Sequence, residues 1–183
     1  MAVVVGVLWV LELVDVVTFG ALDTFGVSPR RLDELPQVYT APFLHFGWEH
    51  LASNTLPLFV LGFLALLEGV RRWLASAWVS VTASGLTAWL ISPEGTVTAG
   101  ASGLVFGWLT YVLARGLFSG SLRQVLVAVV VFLLYGGVLW GVLPTQPGVS
   151  WQAHLGGAVG GLVAAWWIHA RSPGRGVRRP RVA

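Results

Sequence analysis

The sequence predicts an all-α membrane protein, a bundle of six transmembrane helices with both termini cytoplasmic. Three observations carry that expectation. Only 10% of the 183 residues are charged against 56% hydrophobic, with mean hydropathy +0.78, whereas soluble domains carry about 25% charged residues. Apolar stretches of near-spanning length recur six times. The arginines gather in alternate connections between them.

A helix needs about 20 apolar residues to cross the hydrocarbon core. Stretches that meet or approach this lie at 2–22, 49–69, 73–91, 100–118, 122–143 and 151–170. The breaks carry turn residues: "GVSPRR", "EGVRR", "ISPEG", "RGLFSGSLR", "LPTQPG" and "RSPGRG". The first stretch has no positive leading region and no clear small-residue cleavage site, so a removable signal peptide is not expected. It does carry Glu12 and Asp15, three residues apart on one helical face. Acids inside a membrane invite a functional explanation, but no partner is evident, and structural hydrogen bonding or an entrance near the surface is expected. In the second stretch Pro57 is a candidate kink. Glu68 sits by Arg71 and Arg72 and is expected to be a snorkelling ion-pair partner. No repeat and no second domain is visible: residues 1–170 read as one six-helix domain and 171–183 as a disordered basic cytoplasmic tail.

All eleven basic residues are arginine. With the N-terminus in the cytoplasm and six crossings, the cytoplasmic connections hold Arg71, Arg72, Arg115, Arg123, Arg171, Arg175, Arg178, Arg179 and Arg181. Only Arg30 and Arg31 fall outside, as the positive-inside rule favours. The tail is then an orientation signal and a contact for anionic lipid, and no nucleic-acid partner is expected. Trp48, Trp73 and Trp151 stand at span ends, where an interfacial belt belongs. There is no cysteine, which excludes disulfides, a thiol nucleophile and Cys-based metal sites.

In this topology the second, fourth and sixth segments run from outside to inside. Near their outer ends lie His50 and Asn54, Ser102, and His154. Intramembrane polar residues usually face the bundle interior or a wet cavity, and helix N-termini offer free N–H groups suited to a developing oxyanion. His50 and Asn54 are four apart and share a face, as do Ser102 and Phe106. Gly157 and Gly161 form a G-x-x-x-G face that lets the sixth helix approach a neighbour closely. If that neighbour is the fourth helix, with Gly103 and Gly107 on its surface, Ser102 and His154 come within hydrogen-bond reach. Taken singly, each piece reads more readily as packing; their joint placement at one depth favours chemistry. A metal centre from His45, Glu49, His50 and His154 competes poorly. H-x-x-x-E-H misses the inverted zinc motif by one residue, and the five-residue spacing of His45 and His50 suits co-ligation badly. No metal or cofactor is expected.

"FLHFGWEHLASN", the "GASG" around Ser102 and "AHLGGAVGG" together resemble the rhomboid family of intramembrane serine proteases. The resemblance spans all but the first helix and the tail. It implies a Ser–His dyad opening to water on the extracytoplasmic side, with Ser102 as nucleophile and His154 as general base, later acid. It assigns oxyanion stabilisation to His50, Asn54 and the Ser102 backbone N–H. Phe106 would support His154 in place of an orienting carboxylate. Read from the residues themselves, the glycines that open the fourth segment, Gly100 and Gly103, remove side chains so that a base on another helix can touch the Ser102 hydroxyl. The substrates implied are single-pass or multi-pass membrane proteins, cut within or beside a transmembrane segment in the lipid bilayer of the plasma membrane. Entry would be past the fifth helix, where "YGG" at 135–137 is a soft point and "LPTQPGVSW" a cap.

One departure stands out. Many members carry a tryptophan–arginine pair shortly before the "FLH" stretch, where this chain has Pro36 and Gln37, so the local structure of that loop does not follow from the resemblance. The alternative function is a non-catalytic rhomboid-like protein that binds membrane clients; such relatives typically lack the serine or the histidine, and this chain has both. A transporter or channel would predict inverted repeats and a midplane site, and neither is evident.

Overall fold

The computed structural model describes residues 1–170, so the expected tail at 171–183 lies outside the described residues. Six α-helices follow in chain order: α1 (Ala2–Val17), α2 (Trp48–Leu66), α3 (Val70–Ile91), α4 (Ser102–Ser119), α5 (Leu122–Tyr135) and α6 (Trp151–His169). Three segments among the described residues are long and apolar enough to cross a membrane: α2, α3, and α5 with its continuation to Val142. Pro57 sits inside α2 without ending it.

Two elements differ from the sequence expectation. α1 stops at Val17 instead of reaching residue 22. The Thr18 hydroxyl donates back to the Val14 carbonyl at 2.8 Å, Phe19 and Gly20 take positive φ (57° and 81°), and Asp15 Oδ1 accepts the Leu22 N–H at 2.7 Å. Asp15 thus ties down the turn that ends its own helix. Sixteen residues at 1.5 Å rise span about 24 Å, less than the roughly 30 Å hydrocarbon core. The fifth segment changes from α to 3-10 geometry over Gly136–Val142, at the Gly136–Gly137 pair.

α4 is the central helix. Trp108, Leu109, Tyr111 and Val112 are fully buried, and α4 packs on α2, α3, α5 and α6. Its closest approach is to α6. A Cβ on Gly157 would overlap the Gly103 carbonyl, and one on Gly161 the Gly107 carbonyl. Only hydrogen fits, which is how small-residue faces let membrane helices pack backbone to backbone. α6 carries a second stripe, Gly156 and Gly160, which lies against Ala83 and Ser80 of α3. α3 answers with Ser76, Ser80 and Ser84, buried at four-residue spacing. Ser84 Oγ donates to the Ala153 carbonyl at 2.8 Å, and Trp108 Nε1 donates to Ser76 Oγ at 3.2 Å. This serine stripe lies outside the sequence expectation.

At the end of the bundle opposite Ser102, Glu68 does not pair with Arg71 or Arg72 and does not snorkel. Its side chain is 7% exposed and turned inward, 3.7 Å from Arg115 and 3.2 Å from His169, and it accepts the Tyr111 hydroxyl at 2.5 Å. Gln124 of α5 donates to its other oxygen. Interior partners from three helices outcompete a surface pair because each bond is formed where water does not screen it.

The connection from α1 to α2 runs through 3-10 turns at Asp23–Phe25, Leu35–Tyr39 and Ala41–Phe43. An isolated antiparallel bridge joins Val27 to Thr98. Arg30 caps the end of α3, donating from Nη1 to the carbonyls of Leu90 (3.2 Å) and Ser92 (2.9 Å). Trp89 Nε1 donates to the Arg31 carbonyl at 3.0 Å, and Val38 fills the space over Gly85. Pro36 sits in the first turn of the second 3-10 segment, where its fixed φ suits it. The loop is thus anchored to α3 by Arg30, Trp89 and Val38.

Candidate active site

Ser102 is the first residue of α4. The chain reaches it through Gly100, whose φ of +123° disfavours any residue with a Cβ, and whose N–H donates to the Ala41 carbonyl at 2.9 Å. As the first helical residue, Ser102 has no intrahelical acceptor for its own N–H. On α6, the N-cap Ser150 accepts from the Ala153 N–H, and His154 follows.

The glycine-to-glycine contact of α4 and α6 sets these two side chains together: His154 Nε2 lies 2.9 Å from Ser102 Oγ. His154 Nδ1 lies 2.9 Å from the Gly141 carbonyl. A carbonyl only accepts, so Nδ1 carries the proton and Nε2 presents its lone pair to the serine hydroxyl, the tautomer a general base requires. The Phe106 ring stacks on the imidazole at 4.2 Å and 14°.

The His50 ring is oriented in the complementary sense. Its Nδ1 accepts the Phe46 N–H at 3.3 Å, which leaves the proton on Nε2. That nitrogen lies over Gly100: a Cβ there would be 2.8 Å from His50 Nε2 and 3.8 Å from Ser102 Oγ. Asn54, one turn on, donates to the His50 carbonyl at 3.0 Å and has a second amide hydrogen. His50, Asn54, Ser102, Phe106, Gly141 and His154 line one cavity of about 590 Å³, bordered by the 3-10 segment after α5 and the loop before α6. Gly103, Gly157 and Gly161 do not line the cavity; they form the α4–α6 contact beneath it.

Two features escaped the sequence reading. The Gly141 carbonyl is a backbone atom thirteen residues before His154, and no side-chain pattern announces it. His45, which the sequence offered only as a poor metal ligand, accepts the Ala101 N–H through Nε2 at 3.2 Å and meets the His50 ring edge-on at 5.1 Å. Burial, with the neighbouring His50, pushes His45 down to about 4, so it stays neutral and keeps its acceptor at neutral pH. Among the described residues no three His, Asp or Glu side chains converge as a metal site would need. Glu12 is buried, with neither oxygen in a formed hydrogen bond, and borders a small pocket with Asp15, Asp23 and His45.

Chemically, the cavity offers a hydroxyl with a base on it, and N–H donors beside it where negative charge would develop. That is what base-assisted acyl transfer needs.

Comparison with known proteins gives a consistent picture. A family model described as the Rhomboid domain matches residues 32–171. An uncharacterized protein of Mycobacterium tuberculosis is 42% identical over 174 residues, covering 91% of this chain and 72% of its own. Rhomboid-like protein 11, chloroplastic, of Arabidopsis thaliana is 33% identical, covering 72% of this chain and 52% of its own. The rhomboid protease GluP of Bacillus subtilis is 27% identical, covering 79% of this chain and 29% of its own.

Proposed function

Because the chain belongs to the rhomboid family of membrane proteins, we propose that it is an intramembrane serine endopeptidase that cleaves transmembrane segments of membrane-protein substrates. The observation that carries this reading is the Ser102–His154 contact at 2.9 Å, with the far nitrogen of the ring tied to the Gly141 carbonyl.

Ser102 Oγ attacks the scissile carbonyl carbon while His154 Nε2 takes the hydroxyl proton. The carbonyl oxygen becomes an oxyanion and receives hydrogen bonds from His50 Nε2–H, Asn54 Nδ2–H and the Ser102 N–H. The intermediate collapses, the C–N bond breaks, and the imidazolium returns its proton to the leaving amine. Water, deprotonated by the same histidine, then attacks the acyl-enzyme carbonyl and releases the new carboxylate and the serine. The Phe106 face on the imidazole favours its cationic form in these transition states. A peptide bond locked in a helix cannot adopt the extended pose that attack demands, so scissile segments are helix-destabilised.

The same reading places one domain over residues 1–170 with six crossings of the plasma membrane. Both termini and the tail at 171–183 are cytoplasmic, and the cavity opens to the extracytoplasmic side. The distribution of arginines supports it.

The test is a tagged fluorophosphonate on purified protein, with the adduct mapped by mass spectrometry in wild type, Ser102→Ala and His154→Ala, beside cleavage of a model transmembrane substrate in lipid. An adduct on Ser102 that both substitutions abolish, together with cleavage, supports the protease. Folded wild-type protein that neither labels nor cuts favours the non-catalytic, client-binding alternative.

A further inference from the structure

Between α1 and α3 the bundle leaves an apolar groove of about 380 Å³. Val4 and Leu8 form its α1 wall, Leu74, Ala77 and Trp78 its α3 wall, and Leu104 of α4 lies among its lining. It exists because the principal packing of α1 is on α2. Leu74 and Trp78 are more than half exposed, so the groove is open along its side. In a chain surrounded by lipid, such a space has no use for water, which needs polar partners.

The volume limits the occupant. The open side would let a helix about 10 Å across lie over the groove, but the free space between its walls is small, about 380 Å³, so such a helix, from a second copy or from a substrate, does not fit inside. An extended hydrocarbon chain does. At one end of the groove stands a basic pair. Arg71 precedes Leu74 by three residues and Trp78 by seven, which puts it on the groove face of α3, with Arg72 beside it. Both are exposed. Glu68, the carboxylate adjacent in sequence, is occupied by Arg115 and His169, and no ion pair forms at Arg71 or Arg72 among the described residues. An apolar slot with an unpaired cation at its mouth matches a ligand with an apolar chain and an anionic head.

We propose that this groove seats one acyl chain of an anionic phospholipid whose phosphate is held by Arg71. In the proposed topology this end faces the leaflet rich in anionic lipid. Ala101, the residue before Ser102, also borders the groove, so a bound chain supports the start of α4 from behind.

The purified protein in detergent is titrated with phosphatidylglycerol or with phosphatidylcholine of the same chains, and retained lipid is counted by native mass spectrometry. Wild type is expected to retain one phosphatidylglycerol with about a fivefold preference over phosphatidylcholine, what one basic residue at a membrane surface contributes. Arg71→Gln is expected to bind the two lipids alike, whereas Arg123→Gln, on α5, keeps the preference. Ala77→Trp fills the groove from α3 and Val4→Trp from α1; each is expected to lose the retained lipid, and the second carries the test if the first does not fold. A wild type without preference, an Arg71→Gln variant that keeps it, or filled variants that bind lipid as wild type does would each overturn the proposal. So would a lipid-free dimer that Val4→Trp dissociates, which would assign the face to a second copy.

Discussion

The Gly141 carbonyl accepts a hydrogen bond from His154 Nδ1 at 2.9 Å, so a backbone oxygen occupies the place where a serine hydrolase usually has a carboxylate. The bond fixes the tautomer and ring plane of His154, yet it adds no full charge. Its geometry depends on the 3-10 segment over Gly136–Val142 and on the absence of a side chain at Gly141.

Substituting that glycine tests the orientation directly. A Cβ at Gly141 would lie 2.8 Å from Phe106 Cζ and 3.3 Å from His154 Nδ1, so the stacked pair has to shift. Gly141→Ala is expected to lower the rate of fluorophosphonate labelling at Ser102 by about ten- to a hundredfold, the scale of a misplacement near 1 Å. Unfolding should become easier by only about 1–3 kcal/mol, as for modest overpacking. Labelling at the wild-type rate would show that His154 does not depend on this carbonyl.

How much of this was legible beforehand depends on where the information resides. The close approach of α4 and α6 is written in side chains, or in their absence, as glycines four apart at 103 and 107 and at 157 and 161. The six helical segments are written in apolar runs. The acceptor at Gly141 is a main-chain atom, invisible to any reading of residue types. The Ser76, Ser80, Ser84 stripe was readable in principle at its four-residue spacing, but serine in an apolar helix is commonplace and its partners lie on two other helices. Glu68 misled because its sequence neighbours Arg71 and Arg72 suggest an obvious pair, whereas Arg115 and His169 arrive only by folding. The early end of α1 was hidden because Val16, Val17 and Phe19 continue the apolar run, while a hydrogen bond from Leu22 to Asp15 turns the chain.

Acid should weaken the fold through His45. Its pKa, lowered from 6.5 to about 4, means that the unfolded chain takes up a proton first as pH falls. The contribution is fully present above pH 6.5, declines below it, and levels off near 4, in total about 3 kcal/mol at 1.36 kcal/mol per unit. His45→Gln keeps an acceptor for the Ala101 N–H and removes the titration. Between pH 7 and pH 5 the variant is expected to lose about 2 kcal/mol less stability than wild type, read from urea or thermal unfolding in detergent. Equal losses would mean that another group governs the acid response.

Glu68 predicts the opposite combination, a large effect on stability with none on chemistry. Its carboxylate accepts the Tyr111 hydroxyl and lies beside Arg115 and His169, so removing it strips partners from two other helices. Glu68→Ala leaves Arg115, 4% exposed, without its carboxylate, and breaking such a buried pair costs about 3–5 kcal/mol. Ser102 is thirteen residues away along α4, about 20 Å at 1.5 Å per residue. The surviving folded protein should label at Ser102 at an unchanged rate. A rate that falls with the stability would reveal coupling between the two ends of α4.

The α4–α6 contact allows no such separation. At Gly157 and Gly161 the atoms that a new Cβ would strike are carbonyl oxygens of Gly103 and Gly107, and a backbone cannot swing aside as the Phe106 ring can. Relief requires the two helices to move apart, and Ser102 and His154 ride on those helices. Gly157→Ala, nearer the dyad, is expected to reduce labelling at Ser102 by at least a hundredfold and to cost about 3 kcal/mol or more of stability. Gly161→Ala, one turn deeper, should match it in stability while affecting labelling less, because displacement there is attenuated by a pivot before it reaches His154. Gly6→Ala inside α1 has open space around the added methyl and serves as the control, with labelling unchanged and stability unchanged or raised by up to about 1 kcal/mol from helix propensity. If Gly157→Ala labelled normally, the 2.9 Å contact between Ser102 and His154 would have to be maintained by something other than the glycine faces, with the Gly141 carbonyl as the remaining anchor for the ring.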